Sequence, residues 1–167
     1  MLGDMAAHPV SGAHPPQRLY RVVNRVMRWL LSSPRRARGV GNELLILHVT
    51  GRKTGRLIDI PVAYEAVTPE RLRVLTSSPW RVNLRGRHEA EVTLRGVRRP
   101  ATADLVEDPR TVAEIYHAAA ARLGHKKAGR RMGVRIAVDR TPTPEEFEEA
   151  ARRDGLSVVH LDVGAAS

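Results

Sequence analysis

The sequence predicts a single α+β domain built on an antiparallel β-meander or barrel, with helices at both ends. Three observations carry that expectation. Five segments between Leu44 and Val106 alternate apolar and polar residues with period two. They are joined by tight connections with no helical crossover between them, which favours an antiparallel arrangement over a parallel α/β sheet. Helical periodicity, by contrast, is confined to the residues before Gly39 and after Asp108.

Residues 1–16 carry Gly3, Pro9, Gly12, Pro15 and Pro16 without an apolar period and are expected to form a flexible tail ahead of one domain, 17–167. From Gln17 to Leu31, Leu19, Val22, Val23, Val26 and Leu30 recur at three- and four-residue steps, with Arg18, Arg21, Arg25 and Arg28 on the other side. This spacing predicts a basic amphipathic helix stopped near Pro34. Packing on the domain with solvated arginines is one reading of it; resting on anionic lipid or closing over an anionic ligand is the other.

Leu44 to Thr50 reads as a buried strand and Leu57 to Glu65 as its partner, joined by Gly51-Arg52-Lys53-Thr54-Gly55. Arg71 to Ser77 is a third strand, followed by the short segment Pro79 to Leu84. Two more strands, Glu91 to Arg95 and Arg98 to Val106, turn through Gly96. Asp108-Pro109 caps a helix that runs to Leu123 and closes at Gly124. Thr143-Pro144-Glu145-Glu146 is a capping box for a second helix ending at Gly155. Alternation at Val134, Ile136 and Val138, and again around Val158 to Leu161, predicts two further short strands. The basic run His125 to Arg131 is expected in a loop as a solvated face.

The chain has 167 residues, 42% hydrophobic and 28% charged, which suits one globular domain. Its formal charge is +10, and the excess is not uniform. Residues 1–99 hold 18 basic and 7 acidic side chains (+11), whereas residues 100–167 hold 10 and 11 (−1). An anionic partner for the first part follows, whether nucleic acid, membrane surface or phosphorylated small molecule. With no cysteine, disulfides, thiolate catalysis and cysteine-ligated metal centres are excluded. The first residues lack the pattern of a secretory signal, so a cytoplasmic protein is expected, with peripheral contact at the inner membrane face left open by the 17–31 helix.

Common catalytic motifs are missing. Arg52 stands where a phosphate loop needs glycine before Lys53, and a strand follows instead of a helix. Gly39-Val40-Gly41 precedes a strand and lacks a third glycine, so it is no dinucleotide fingerprint. There is no Gly-x-Ser-x-Gly elbow, and the seven histidines show no metal-ligand spacing, so no metal is expected.

Two segments remain. Thr50 to Arg56 gathers backbone amides, the hydroxyls of Thr50 and Thr54, and the cations Arg52, Lys53 and Arg56 between two glycines. That is workable as a site for phosphate or carboxylates, and equally a polar hairpin tip. Ser77 to Arg85 offers Trp80 as a flat wall, Asn83 as donor and acceptor, and small hydroxyls at Ser77 and Ser78. Trp80 as a plug at a barrel end is the plainer alternative.

In order along the chain, the strand Leu45 to Thr50, Gly51-Arg52-Lys53-Thr54-Gly55-Arg56, a strand containing Pro61, a strand ending Thr76-Ser77, and Trp80-x-x-Asn83-Leu84-Arg85 resemble the deazaflavin-dependent nitroreductase family. That family belongs to the split β-barrel superfamily, which also holds the pyridoxamine-phosphate-oxidase-like flavin-binding proteins. The resemblance covers residues 40–107.

It implies an α+β split β-barrel of about six mainly antiparallel strands with an N-terminal helix and C-terminal helices. It also implies coenzyme F-420, an 8-hydroxy-5-deazaflavin with a phosphate and an oligoglutamate tail, with FMN as the alternative cofactor. The family's motif maps the tail grip onto Arg52, Lys53, Thr54 and Arg56, the ring contacts onto Thr76, Ser77 and Ser78, and the flanking segment onto Trp80 and Asn83. Two departures stand out. Ser78 runs directly into Pro79-Trp80 where the family has a longer glycine-rich loop, and Arg81 replaces a tyrosine.

The implied activity is hydride transfer from reduced F-420 to an electron-poor small-molecule acceptor such as a quinone or nitro compound. Its catalytic residues are left unassigned, and Tyr64, His88 or solvent would supply any proton. Dimerisation, common among split barrels, is compatible with this reading. Binding of single-stranded nucleic acid by a basic barrel is the competing class, and it is not expected here because only 4% of residues are aromatic.

Overall fold

The computed structural model describes residues 8–13, 25, 28–30, 32–38, 43–86 and 88–164. The expected helix 17–31 lies mostly outside the described residues; within it, Arg25 and residues 28–30 are helical. The elements in chain order are β1 (Val10–Gly12), α1 (Pro34–Ala37), β2 (Leu44–Thr50), β3 (Leu57–Ala63), β4 (Glu65–Ala66), β5 (Arg71–Thr76), a 3-10 helix (Pro79–Leu84), β6 (Glu89–Leu94) and β7 (Val97–Val106). They continue with α2 (Pro109–Leu123), α3 (His125–Met132), β8 (Val134–Ile136), α4 (Pro144–Asp154) and β9 (Ser157–Asp162).

Seven strands form one antiparallel sheet in the order β3-β2-β6-β7-β9-β5-β4. The sheet curls until β3 and β5 touch again, giving a split half-barrel. Alternation sets the lining. Leu45, Leu47 and Val49 of β2 point inward with Ile60 and Val62 of β3, Val74 of β5, Val92 of β6, Ala103 of β7 and Val159 and Leu161 of β9. Leu84, from the 3-10 helix, joins this core.

The sheet is not a meander. β5 and β6 are consecutive strands but not neighbours, because β9, from the end of the chain, inserts between β5 and β7. Val158 and Val159 fall on opposite faces of that strand, so β9 is shared by two cores. The second core lies between the outer face of β9 and the helices. There Tyr116 of α2 and Phe147 of α4 pack with ring centroids 5.9 Å apart and planes tilted by 45°.

The expected caps are present. The Asp108 side chain accepts the Thr111 N–H at 3.0 Å, and the Thr143–Glu146 capping box is complete. Three expectations need correction. The strand expected over Leu57 to Glu65 breaks at Tyr64 into β3 and β4. His125 to Arg131 is not a loop but most of α3, because Ala128 and Met132, four residues apart, share one buried face.

The third correction concerns the tail. Within 1–16, Val10–Gly12 form β1, paired with β8, and Val10 is only 1% exposed in the helical core. The Arg153 guanidinium donates to Val10 O, and Gly12 N–H donates to Asp154 Oδ2 at 3.0 Å. A leading segment with no apolar period is anchored by its partners and not by its own pattern. Among the described residues no helix is long and apolar enough to cross a membrane.

Val10→Ala is expected to lower stability by about 2 kcal/mol, from lost transfer free energy and a residual cavity. Urea unfolding followed by far-UV circular dichroism checks this, and a passive tail would show no change.

Candidate functional site

The two segments singled out in the sequence meet. Asn83 Oδ1 accepts the Arg52 N–H at 3.0 Å, while Asn83 Nδ2 donates to Trp80 O at 2.9 Å. Arg52 Nη1 also donates to Val82 O at 3.3 Å. The β2–β3 turn is thereby fastened to the 3-10 helix by the Asn83 amide and the Arg52 guanidinium. Gly55, at φ +67°, supplies the left-handed step that closes the turn.

Four of the six amides of residues 51–56 are engaged within the protein. Gly51 N–H donates to Arg56 O at 2.8 Å, Gly55 N–H to Gly51 O at 2.9 Å, and Arg56 N–H to Thr54 Oγ1 at 3.3 Å. With the Arg52 amide on Asn83, the Lys53 and Thr54 amides are left without a partner among the described residues, beside the side-chain cations. Arg52, Lys53 and Arg56 are exposed, and neither Lys53 nor the Arg56 guanidinium has a partner among the described residues. Thr54 is exposed at the tip.

Thr76, Ser77, Ser78 and Trp80 line a cleft of about 200 Å³ at the seam between β3 and β5. Pro61 and Val62 form its β3 side and Val74 and Leu75 its β5 side. β3 is an edge strand, and β5 pairs on its free side only at Leu72 and Arg73, so the sheet leaves backbone groups unmatched here. Proline is tolerated at position 61 because an edge strand can lose an N–H. Trp80 is half-buried, packed against the barrel core while lining the cleft.

Ser77 lies under β1: a Cβ placed on Gly12 would stand 3.0 Å from Ser77 Oγ. Thr76 Oγ1 accepts the Ser78 N–H at 3.1 Å. The cleft also receives Arg130 and Arg131 from the last turn of α3. Both belong to the basic run that the sequence places on a solvated face, and the four-residue step from Ala128 to Met132 is the signal for the helix that carries them. The cationic turn residues are not among those lining the cleft.

Arg81 explains how the segment is held. Its Nη1 donates to Ser77 O and Ser78 O, both at 3.0 Å, and its Nε stands 3.7 Å from Glu107 Oε1. Gly155, at φ +72°, lies against the guanidinium, where a Cβ would fall 2.3 Å from Nη2. Arg85 completes the arrangement with two bonds to Glu107, at 2.9 and 2.8 Å. Those bonds and the positive charges of Arg85 and Arg81 hold the Glu107 carboxyl below the usual range against partial burial. Beneath the loop, the buried Tyr116 hydroxyl shares its proton between Ser157 O at 3.2 Å and Thr76 O at 3.4 Å, and burial pushes its pKa up, so it stays protonated.

The two side chains named as proton sources are elsewhere. Tyr64 lines a smaller void next to the cleft, its pKa raised by burial, and His88 borders a separate groove at Asn83 and Thr50.

A larger groove, about 720 Å³, lies on the outer face and is bordered by His48. His48 Nδ1 is 2.7 Å from Asp59 Oδ1 and Nε2 is 2.8 Å from Thr93 Oγ1, an acid–imidazole–hydroxyl trio spread over three strands that no local spacing reveals. Thr93 is buried, and β6 is paired on both sides through its backbone, so no pair of free amides faces that hydroxyl. The trio is a satisfied polar core. Among the described residues no cluster of three or more His, Asp or Glu is placed to hold a metal.

No family model and no curated protein matches the chain. Solved structures do. An F-420 reductase superposes at TM-score 0.41 with 14% identity, over 83% of this chain and 93% of the other. Each likeness is one of fold alone. A domain-swapped dimer gives 0.44 at 12% identity over 89% and 99%. A pyridoxamine 5′-phosphate oxidase-related, FMN-binding protein from Nostoc punctiforme gives 0.46 at 14% over 90% and 82%.

Two outcomes are expected from the Arg81 brace. Arg81→Ala leaves two loop carbonyls without their charged donor and is expected to cost about 2 kcal/mol in thermal or urea unfolding. Glu107 contributes stability that is present above the ordinary carboxylate pKa of about 4 and is lost as the pH falls through its lower folded pKa. Glu107→Gln is therefore expected to flatten the acid limb of the stability–pH curve, measured by unfolding between neutral and acid pH.

Proposed function

We propose that this chain is an oxidoreductase that binds a deazaflavin, coenzyme F-420, and passes a hydride from its reduced form to an electron-poor quinone or nitro compound. The observation that carries the reading is the Asn83 amide, which joins the Trp80 wall to the cationic turn through bonds of 2.9 and 3.0 Å. A planar ring with an anionic tail needs both on one rigid piece, and the ordered motifs of residues 40–107 point the same way.

The residues present suit such a group. Trp80 would supply an apolar face, Thr76, Ser77 and Ser78 small polar groups beside it, and Arg52, Lys53 and Arg56 the countercharge for phosphate and carboxylates. Asn83 acts as a positioning residue, since both ends of its amide are engaged within the protein. When bound, the deazaflavin supplies the hydride chemistry. The chain's own part is to fix the ring against a braced loop, to balance the tail's charge, and to shield one edge of the ring from water at the seam. Among the described residues the titratable side chains lining the cleft are the two arginines, and we take solvent as the source of any proton.

FMN presents the same kinds of surface and is the comparison ligand. Fluorescence titration of the purified chain is expected to show micromolar binding of F-420, stronger with longer oligoglutamate tails. Lys53→Ala is expected to weaken it roughly tenfold, as loss of a charge-assisted contact of about 1.5 kcal/mol would. Trp80→Ala is expected to weaken it at least as much while the fold, checked by circular dichroism, persists. Absence of micromolar binding of both F-420 and FMN would contradict the proposal.

A further inference from the structure

The motif resemblance ends at residue 107 and assigns nothing to α3, yet α3 is what brings positive charge into the cleft. Arg130 and Arg131 occupy its last turn and both line the seam. Their circumstances differ. Arg131 Nη1 is engaged by Glu43 Oε1 at 2.8 Å, whereas Arg130 has no partner among the described residues. The adjoining walls are Pro61, Val62, Val74 and Leu75, which offer no countercharge.

An unpaired guanidinium beside a cleft walled by Pro61, Val62, Val74 and Leu75 on its flanks and by the small hydroxyl residues Thr76, Ser77 and Ser78 suits a flat ring carrying one acidic group, since its planar fork matches a carboxylate or phosphate. The size fits a small ligand: about 200 Å³ falls below the ~300–1,000 Å³ typical of drug-sized sites.

We infer that the seam cleft selects aromatic acids, and that Arg130 is the specificity-determining residue that holds their carboxylate or phosphate. A cleft of about 200 Å³ has room for one ring, so the assignment is made for the chain free of cofactor and stands apart from the proposed function. A guanidinium that merely balances the carbonyl end of α3 would make no such selection.

The test uses the full chain without cofactor and two probes of one shape, 4-nitrobenzoate and 4-nitrobenzamide, in calorimetric titrations at low and moderate salt. The wild-type chain is expected to bind the acid about tenfold more tightly than the amide. Arg130→Gln is expected to remove that preference while leaving amide affinity unchanged, Arg130→Lys to keep part of it, and Lys126→Gln, on the same helix but not lining the cleft, to keep all of it. Equal affinity for the two probes, binding of neither, or a preference that survives Arg130→Gln would each overturn the inference. Failure of the cofactor titration with this preference intact would remove only the proposed function, and the reverse pattern would remove only the role of Arg130.

Discussion

The structure turns on one half-buried guanidinium. Arg81 sits where three parts of the chain meet: the Ser77 and Ser78 carbonyls at the end of β5, the Glu107 carboxylate after β7, and Gly155 between α4 and β9. Without a cation there, the loop carbonyls and the carboxylate would face one another across a poorly solvated gap, and like partial charges would push them apart. With it, the loop carrying the candidate ring contacts is fixed to both the barrel and the helical layer. The short connection from Ser78 to Pro79-Trp80 then becomes intelligible: a loop too short to fold onto a ligand by itself is braced from behind by an arginine.

The same economy governs charge elsewhere. The net charge of +10 is what remains after 18 acidic side chains are set against 28 basic ones, and the acids present are placed beside particular arginines. Arg71 pairs with Asp162, Arg98 with Glu91, and Glu65 sits between Arg73 and Arg122. These exposed and half-exposed pairs add little stability individually. Their effect is to remove arginines from the pool available to a ligand. Around the candidate site the cations left without partners among the described residues are Lys53 and Arg56 on the turn and Arg130 at the cleft.

Much of this was legible in the sequence wherever the signal was local. Period-two alternation located β2, β3, β5, β6 and β7, and Asp108, Thr143, Gly124 and Gly155 marked the helix ends because caps are chemical necessities read from single residues. The turn at Gly51–Gly55 and the Trp80–Asn83 segment were recognisable as chemistry. What escaped was non-local. β1 has only Val10 to bury, and its partners are more than a hundred residues away in β8 and α4. The insertion of β9 between β5 and β7 follows from its two-sided apolar pattern together with the unfilled edges of those strands, which no single segment announces. α3 read as a solvated run because only Ala128 and Met132 face inward. Arg81 read as a departure from a motif because its partners lie 26 and 74 positions further along, at Glu107 and Gly155.

The central claim is that ligand binds at the seam, against the braced 76–83 segment, and engages the turn tied to it by Asn83. Hydrogen–deuterium exchange of the full chain with and without coenzyme F-420 tests it most directly, because exchange reports where backbone groups become protected. Protection confined to peptides covering 51–56, 74–83 and the end of α3 is the predicted result. Protection centred on the outer groove around His48, or no change at the seam under saturating ligand, would contradict it.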